Sequence, residues 1–228
     1  MDDVSAFPGI QFTRKNNTIE LLQKGLIDRI VATTGMEDYN SEATPAQPRP
    51  LEKDVNRKPF LEPWKYASVV GMLLYLSGNS RPDIAFAVNQ AACFTQNPKA
   101  SHAAAVKRII QYLSGTKHRN LTFKPTTDWK LDCYVDAPTF VDYGDPRIRM
   151  TQWLRSHEVV TSSRLLYVLL YGVKLLFLKE HVRTDDNPKG ETSIQKIETT
   201  DQLADIFSKG LAQAKFDPLR DKIMAWHL

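Results

Sequence analysis

Residues 66–115 read YASVVGMLLYLSGNSRPDIAFAVNQAACFTQNPKASHAAAVKRIIQYLSG, and the spacing of their apolar side chains decides the fold of the chain's centre. Tyr66, Val69, Val70, Leu73 and Leu74 recur at three- and four-residue intervals, which predicts one helix with an apolar stripe, stopped at Gly78 and Asn79. Pro82 stands where a second helix can begin, because its fixed φ suits the first turn and its missing N–H is not needed there. Ile84, Ala87, Val88 and Ala91 make that helix's stripe until Asn97 and Pro98 interrupt it. Ser101 is placed to cap a third helix, whose stripe is Val106, Ile109, Ile110 and Leu113 and whose end is Gly115. Lys107, Arg108 and Gln111 occupy another side of it.

Upstream, GIQFTRKNNTIELLQ (9–23) alternates apolar and polar residues on both sides of Lys15-Asn16-Asn17, the pattern of a β-hairpin around a tight connection. Leu26, Ile27, Ile30 and Val31 then fall at helical spacing, and Gly35 can take the left-handed conformation that ends a helix. Residues 37–65 hold five of the thirteen prolines and little periodicity, so they read as an extended linker. Downstream the period changes to two: Leu121 and Phe123, then Leu131, Cys133 and Val135, suggest paired strands. Residues 141–160 resist assignment, and the apolar run that follows suits a buried helix or core strands. Leu203, Ile206 and Phe207 mark the inward side of a helix near the end.

Charge is uneven along the chain. The net charge is +4, yet residues 1–65 carry 9 basic and 10 acidic side chains and residues 136–228 carry 13 of each, while residues 66–135 carry 8 against 3. A basic centre between neutral flanks fits a phosphate-contacting module. The opening MDDVSAFPG lacks a basic and apolar leader, and the greasiest run, Leu165 to Leu178, falls short of the roughly 20 apolar residues that span a bilayer, so an intracellular chain without membrane contact is expected. Cys93 and Cys133 lie in apolar-periodic segments without metal or disulfide spacing and read as buried free thiols. The five histidines show no ligand spacing.

The strings VVGMLLYL, RPDIAFAVNQ and AVKRIIQYL resemble the thumb and connection that join polymerase to RNase H in copia-type retrotransposon Pol polyproteins. The hairpin, preceded by Val4-Ser5-Ala6-Phe7-Pro8, is similar to the primer grip of the same family, with Pro8 where leucine is usual. The resemblance implies that this region holds a template and primer, with Arg81, Lys107, Arg108, Lys117 and Arg119 as the phosphate partners. It also implies partners: an RNA/DNA hybrid or duplex DNA, and a complete Pol protein acting in trans. Asp2-Asp3 is not the family's polymerase pair, since the tyrosine of that turn is absent and the spacing to the hairpin is too short.

Beyond the connection, LDCYVDAPTF resembles the first strand of the family's RNase H domain, and TTDQLADIFSKGL its closing motif, continued in FDPLRDKIMAW. The resemblance makes Asp136 and Asp205 the remnant catalytic and metal-binding carboxylates, with Pro138 in place of another aspartate. The motifs that supply the remaining carboxylates are missing between them, which implies an internal deletion near residues 141–170. Two-metal hydrolysis uses several carboxylates to fix both ions. The expectation is therefore an α+β chain divided as hairpin and helix (1–36), linker (37–65), helical thumb and connection (66–126) and truncated RNase H-like domain (127–228). It is expected to be catalytically inactive, to need no cofactor and to bind duplexes without regard to sequence. One alternative is a residual Mg²⁺-dependent nuclease using Asp136 and Asp205. Another is a decayed product without function, its apolar run at 165–178 prone to aggregate.

Overall fold

The computed structural model describes residues 6–7, 9–15, 18–53, 58–123, 133–134, 160–161, 198 and 200–226. They fall in two compact units, one made of residues Met1–Trp129 and Asp205–Leu228, the other of Lys130–Ala204. The sequence reading grouped 127–228 together, whereas here the last segment belongs with the first unit. The mix of helices and antiparallel strands is α+β.

In the first unit, strands β1 (Ala6–Phe7), β2 (Ile10–Lys15), β3 (Thr18–Leu22) and β4 (Leu121–Phe123) form one antiparallel sheet in that order. The hairpin expected at 9–23 is β2 and β3, with Phe12 opposite Leu21 and Arg14 opposite Ile19. Strand β4 pairs with β3, Leu121 opposite Leu21 and Phe123 opposite Ile19, which puts four apolar side chains on one face of the sheet. In the second unit, β5 (Cys133–Tyr134) pairs antiparallel with β6 (Val160–Thr161).

Helix α1 (Lys24–Thr34) ends as expected at Gly35, whose φ of 64° is left-handed. Helices α2 (Tyr66–Asn79), α3 (Ala85–Ala92) and α4 (Ala100–Gly115) follow, with a 3-10 turn at Pro82–Ile84 before α3. α1 packs on α2 and α4, and α3 packs between α2 and α4. Their buried side chains, Ile27, Ile30, Val69, Leu73, Val88, Val106, Ile109, Ile110 and Leu113, are the stripes read from the sequence. Leu74 is an exception: it faces outward, and Leu76 is buried instead, because the helix's buried face continues from Leu73 to Leu76 and Ser77.

The α4 N-terminus also differs from expectation. Lys99 precedes the first turn, and its N–H donates to Nδ1 of His102, while the hydroxyl of Ser101 finds no partner among the described residues. His102 can do this because it is fully buried, stacked on Phe94 at 4.0 Å, with Nε2 2.8 Å from the Glu52 carbonyl. Cys93, expected inside, is exposed at the end of α3.

Among its described residues the proline-rich stretch forms no helix, and it is laid against the helices as a strap. Thr44, Met36 and Trp64 are buried. Gln111 donates to the Asn40 carbonyl, Gln90 accepts from the Leu51 N–H, and Pro59 bridges to Lys99. The strap runs so close to the body that a Cβ added to Gly210 would lie 2.1 Å from the Gln47 carbonyl oxygen, and one on Gly115 would lie 2.7 Å from Cβ of Ser41. These glycines are the cost of that approach.

Helices α5 (Asp205–Ser208) and α6 (Gln213–Met224) complete the first unit. α5 packs on α3 and α6 on the Pro82–Ile84 turn, burying Ile206, Phe207, Phe216, Leu219 and Met224. Asp136, Pro138, the 141–170 segment apart from Val160–Thr161, and the 165–178 run lie outside the described residues.

Candidate nucleic-acid interface

The five basic residues proposed as phosphate partners have different surroundings. Arg81 is 2% exposed and is held inside the first unit. Its Nε and Nη2 donate to the two carboxylate oxygens of Asp83 at 3.0 and 2.8 Å, and Nη2 also reaches the Thr116 hydroxyl at 2.7 Å. The Tyr112 hydroxyl donates to the same carboxylate at 2.6 Å. Arg–Pro–Asp is thus a fork-to-fork pair that joins the start of α3 to the end of α4. Burial works against the Arg81 charge, but Asp83 and Tyr112 outweigh it and keep its pKa above the ordinary range. Burial, reinforced by the Asp83 charge, raises the Tyr112 pKa well above the usual phenol range.

Lys107 and Arg108 face the strap. Lys107 pairs with Glu62 at 2.7 Å, and Arg108 pairs with Glu42 at 2.9 Å while donating to the carbonyl and hydroxyl of Thr44, both at 3.0 Å. The basic side of α4 that the sequence displays is therefore where the strap is fastened.

Lys117 and Arg119 are placed differently. They lie on the turn from α4 into β4, and Asn120 in that turn donates to the Glu20 carboxylate of β3 at 2.8 Å. Lys117 approaches Asp28 only to 3.6 Å, with both side chains more than a third exposed, a pair that water and salt screen strongly. The Arg119 guanidinium sits 4.6 Å over the Trp226 ring, and among the described residues it has no carboxylate partner. Because β4 is bonded to β3, this turn and the hairpin belong to one body although about a hundred residues separate them.

Asp205 is 1% exposed, and both of its oxygens are engaged: one by Lys209 at 2.9 Å, the other by Lys215. Two ammonium groups occupy the carboxylate where a metal ligand was expected. Among the described residues no group of three or more His, Cys, Asp or Glu side chains could hold a metal ion, and no helix is long and apolar enough to cross a membrane.

Over 144 residues, 63% of this chain, the sequence is 32% identical to the Retrovirus-related Pol polyprotein from transposon RE1 of Arabidopsis thaliana. Over 130 residues, 54% of the chain, it is 35% identical to the corresponding protein from transposon TNT 1-94 of Nicotiana tabacum. This chain is similar to a segment of retrovirus-related Pol polyproteins from transposons. It spans about 10% of the length of either Pol relative. An uncharacterized mitochondrial protein of Arabidopsis thaliana is also similar, 28% identical over 134 residues, which are 59% of this chain and 55% of that protein. No protein-family model and no solved structure gives a significant match. Tyr112, Asn120 and Trp226 escaped the sequence reading as site residues. Tyr112 and Trp226 stand inside quoted motifs, but only the fold brings them to Arg81 and Arg119.

Proposed function

We propose that this retrotransposon-derived chain is a non-catalytic duplex-binding module, derived from the thumb and connection of a reverse transcriptase and followed by an incomplete RNase H-like region. Its ligand is an RNA/DNA hybrid or duplex DNA, contacted through phosphates. The observation that carries this reading is the β3–β4 ladder, which joins the turn bearing Lys117 and Arg119 to the exposed, primer-grip-like hairpin. Arg81, Lys107 and Arg108 drop out of the phosphate-binding set and serve the fold. The lysine partners of Asp205 support the absence of metal-dependent cleavage, since a carboxylate holding two ammonium groups is already neutralised. A complete Pol protein remains the partner this module would assist in trans.

The test is binding to a labelled RNA/DNA hybrid at several salt concentrations with Mg²⁺ present, the RNA strand's integrity being read from the same samples. Affinity should fall steeply with salt while the RNA stays intact. In the double variant K117A/R119A the slope of log K against log salt should flatten by about 1.8, two phosphate contacts at about 0.9 each. Salt-insensitive binding, or none, would overturn the reading. RNA cleavage that disappears in Asp136→Asn would restore the nuclease alternative.

A further inference from the structure

Trp226 follows α6 and is folded back onto the body by Ala225, which takes a left-handed conformation with φ of 54°. Both the Ala225 and Trp226 N–H groups donate to the Asp221 carbonyl, and the indole N–H donates to the Asn120 carbonyl at 2.7 Å. The ring is therefore fixed at its backbone and at its polar edge. Three guanidinium groups surround it: Arg119 at 4.6 Å from the ring centre, Arg220 at 4.9 Å and Arg81 at 5.7 Å.

These three cations are not equivalent. Arg81 is neutralised by Asp83, and Arg220 by Asp217 and Asp221 at 2.6 and 2.8 Å. Arg119 alone among them is exposed and, among the described residues, lacks a carboxylate. An aromatic face attracts a guanidinium without consuming its N–H donors, so an arginine held over a ring keeps its hydrogen-bonding fork for an incoming anion. An unpaired arginine elsewhere on the surface would sample many rotamers and lose that freedom on binding.

Resting on the duplex-binding reading above, we infer that Trp226 is the positioning residue of a backbone-phosphate site whose contact group is Arg119. The segment FDPLRDKIMAW thus serves the interface of the first unit: α6 carries the indole to the turn after α4, and Asn120 locks it there. The ligand class is a phosphodiester of a nucleic-acid duplex, bound without sequence preference.

Hybrid binding by the full chain tests this. Arg119→Ala removes an exposed side chain and should weaken binding at 0.1 M salt by about eightfold, flattening the salt slope by about 0.9, because one fewer counterion is released. Trp226→Leu should weaken binding by about threefold, the cost of ordering one long side chain, and should leave the slope unchanged because the phosphate contact itself persists. Trp226→Phe keeps a ring and should bind nearly as wild type. The fluorescence difference between wild type and W226F isolates the Trp226 emission, which should change on duplex binding in wild type and stay constant in R119A. That readout stands even where W226L fails to fold. Wild-type affinity and slope in R119A, or an R119A protein whose Trp226 emission still responds, would overturn the assignment while K117A could still leave the duplex-binding reading intact. A wild-type protein that binds no duplex would overturn both.

Discussion

Substituting Asp83 by alanine isolates a charge pair that, among the described residues, is the one with both side chains sealed inside the first unit. The side chain of Asp83 is fully buried and accepts three hydrogen bonds, at 3.0 and 2.8 Å from Arg81 and at 2.6 Å from Tyr112. Its loss leaves the Arg81 guanidinium, 2% exposed, with only the hydroxyl and carbonyl of Thr116 at 2.7 and 3.3 Å, and leaves the Tyr112 hydroxyl without its acceptor. Breaking a buried pair in this way costs about 3–5 kcal/mol, since an uncompensated charge remains in the interior. With a urea m-value of about 2 kcal/mol per M, a loss of about 4 kcal/mol lowers the midpoint by about 2 M. The control is Arg81→Met with Asp83→Leu, in which both charges leave together. Buried pairs replaced by apolar groups of similar volume are often neutral, so this double variant should recover most of the loss. Urea melts followed by circular dichroism would measure both. A single variant that loses less than about 1 kcal/mol, or a double variant no more stable than the single, would refute the reasoning that this pair is sealed from water and mutually dependent.

Tyr112 gives the chain an alkaline limit. Its folded pKa lies above the unfolded value of 10, so its contribution is fully present below about pH 10 and declines above it, as the unfolded chain releases a proton that the folded one retains. The loss should approach about 1.4 kcal/mol per pH unit, and Tyr112→Phe, whatever its stability at neutral pH, should show a shallower decline in melts run between pH 9 and 12. Gly210→Ala should destabilise the first unit by about 1–3 kcal/mol, because the new methyl meets the Gln47 carbonyl and the strap must shift; faster amide exchange across residues 40–48 is the measurement, and an unchanged exchange pattern would contradict the close approach. Mg²⁺ at 10 mM should leave the melting temperature unchanged, and Asp205→Asn should lower it, because that carboxylate's work is to hold Lys209 and Lys215; a Mg²⁺-dependent rise that Asp205→Asn abolishes would argue for a metal site instead.

The helical centre was legible because its stripes have one period and its stops are glycine, asparagine and proline, signals that depend on neighbours three or four positions away. The hairpin was legible for the same local reason. What the sequence could not show were choices made by distant partners. Leu121 and Phe123 alternate correctly for a strand, but alternation does not say which strand receives them, and the apolar face of β3 supplied the better neighbour. Ser101 is a good cap by propensity, yet the buried His102 ring captured the Lys99 N–H, and no pattern within four residues reveals that Glu52 anchors that ring. Basic residues carried the least information of all. Arg81, Lys107 and Arg108 look alike in a charge count with Lys117 and Arg119, and only the fold shows that the first three lie within 2.9 Å of carboxylates at positions 83, 62 and 42, whereas Lys117 reaches Asp28 only at 3.6 Å in an exposed pair.

The split of the first unit across the chain has a consequence for the order in which it is made. Trp226 bonds to Asn120 across 106 residues, and Phe216 meets Tyr112 edge-on at 5.7 Å, so the surfaces around Arg81 stay uncovered while the ribosome works through residues 130–204. During that interval the nascent body exposes the apolar ground later taken by α5 and α6, the kind of surface that chaperones and proteases recognise. Any premature stop or frameshift within 130–204 releases a chain that cannot close, whatever the quality of its first 129 residues. The topology therefore turns translation to residue 226 into a condition for survival, a check on the message built into the way the helices are shared.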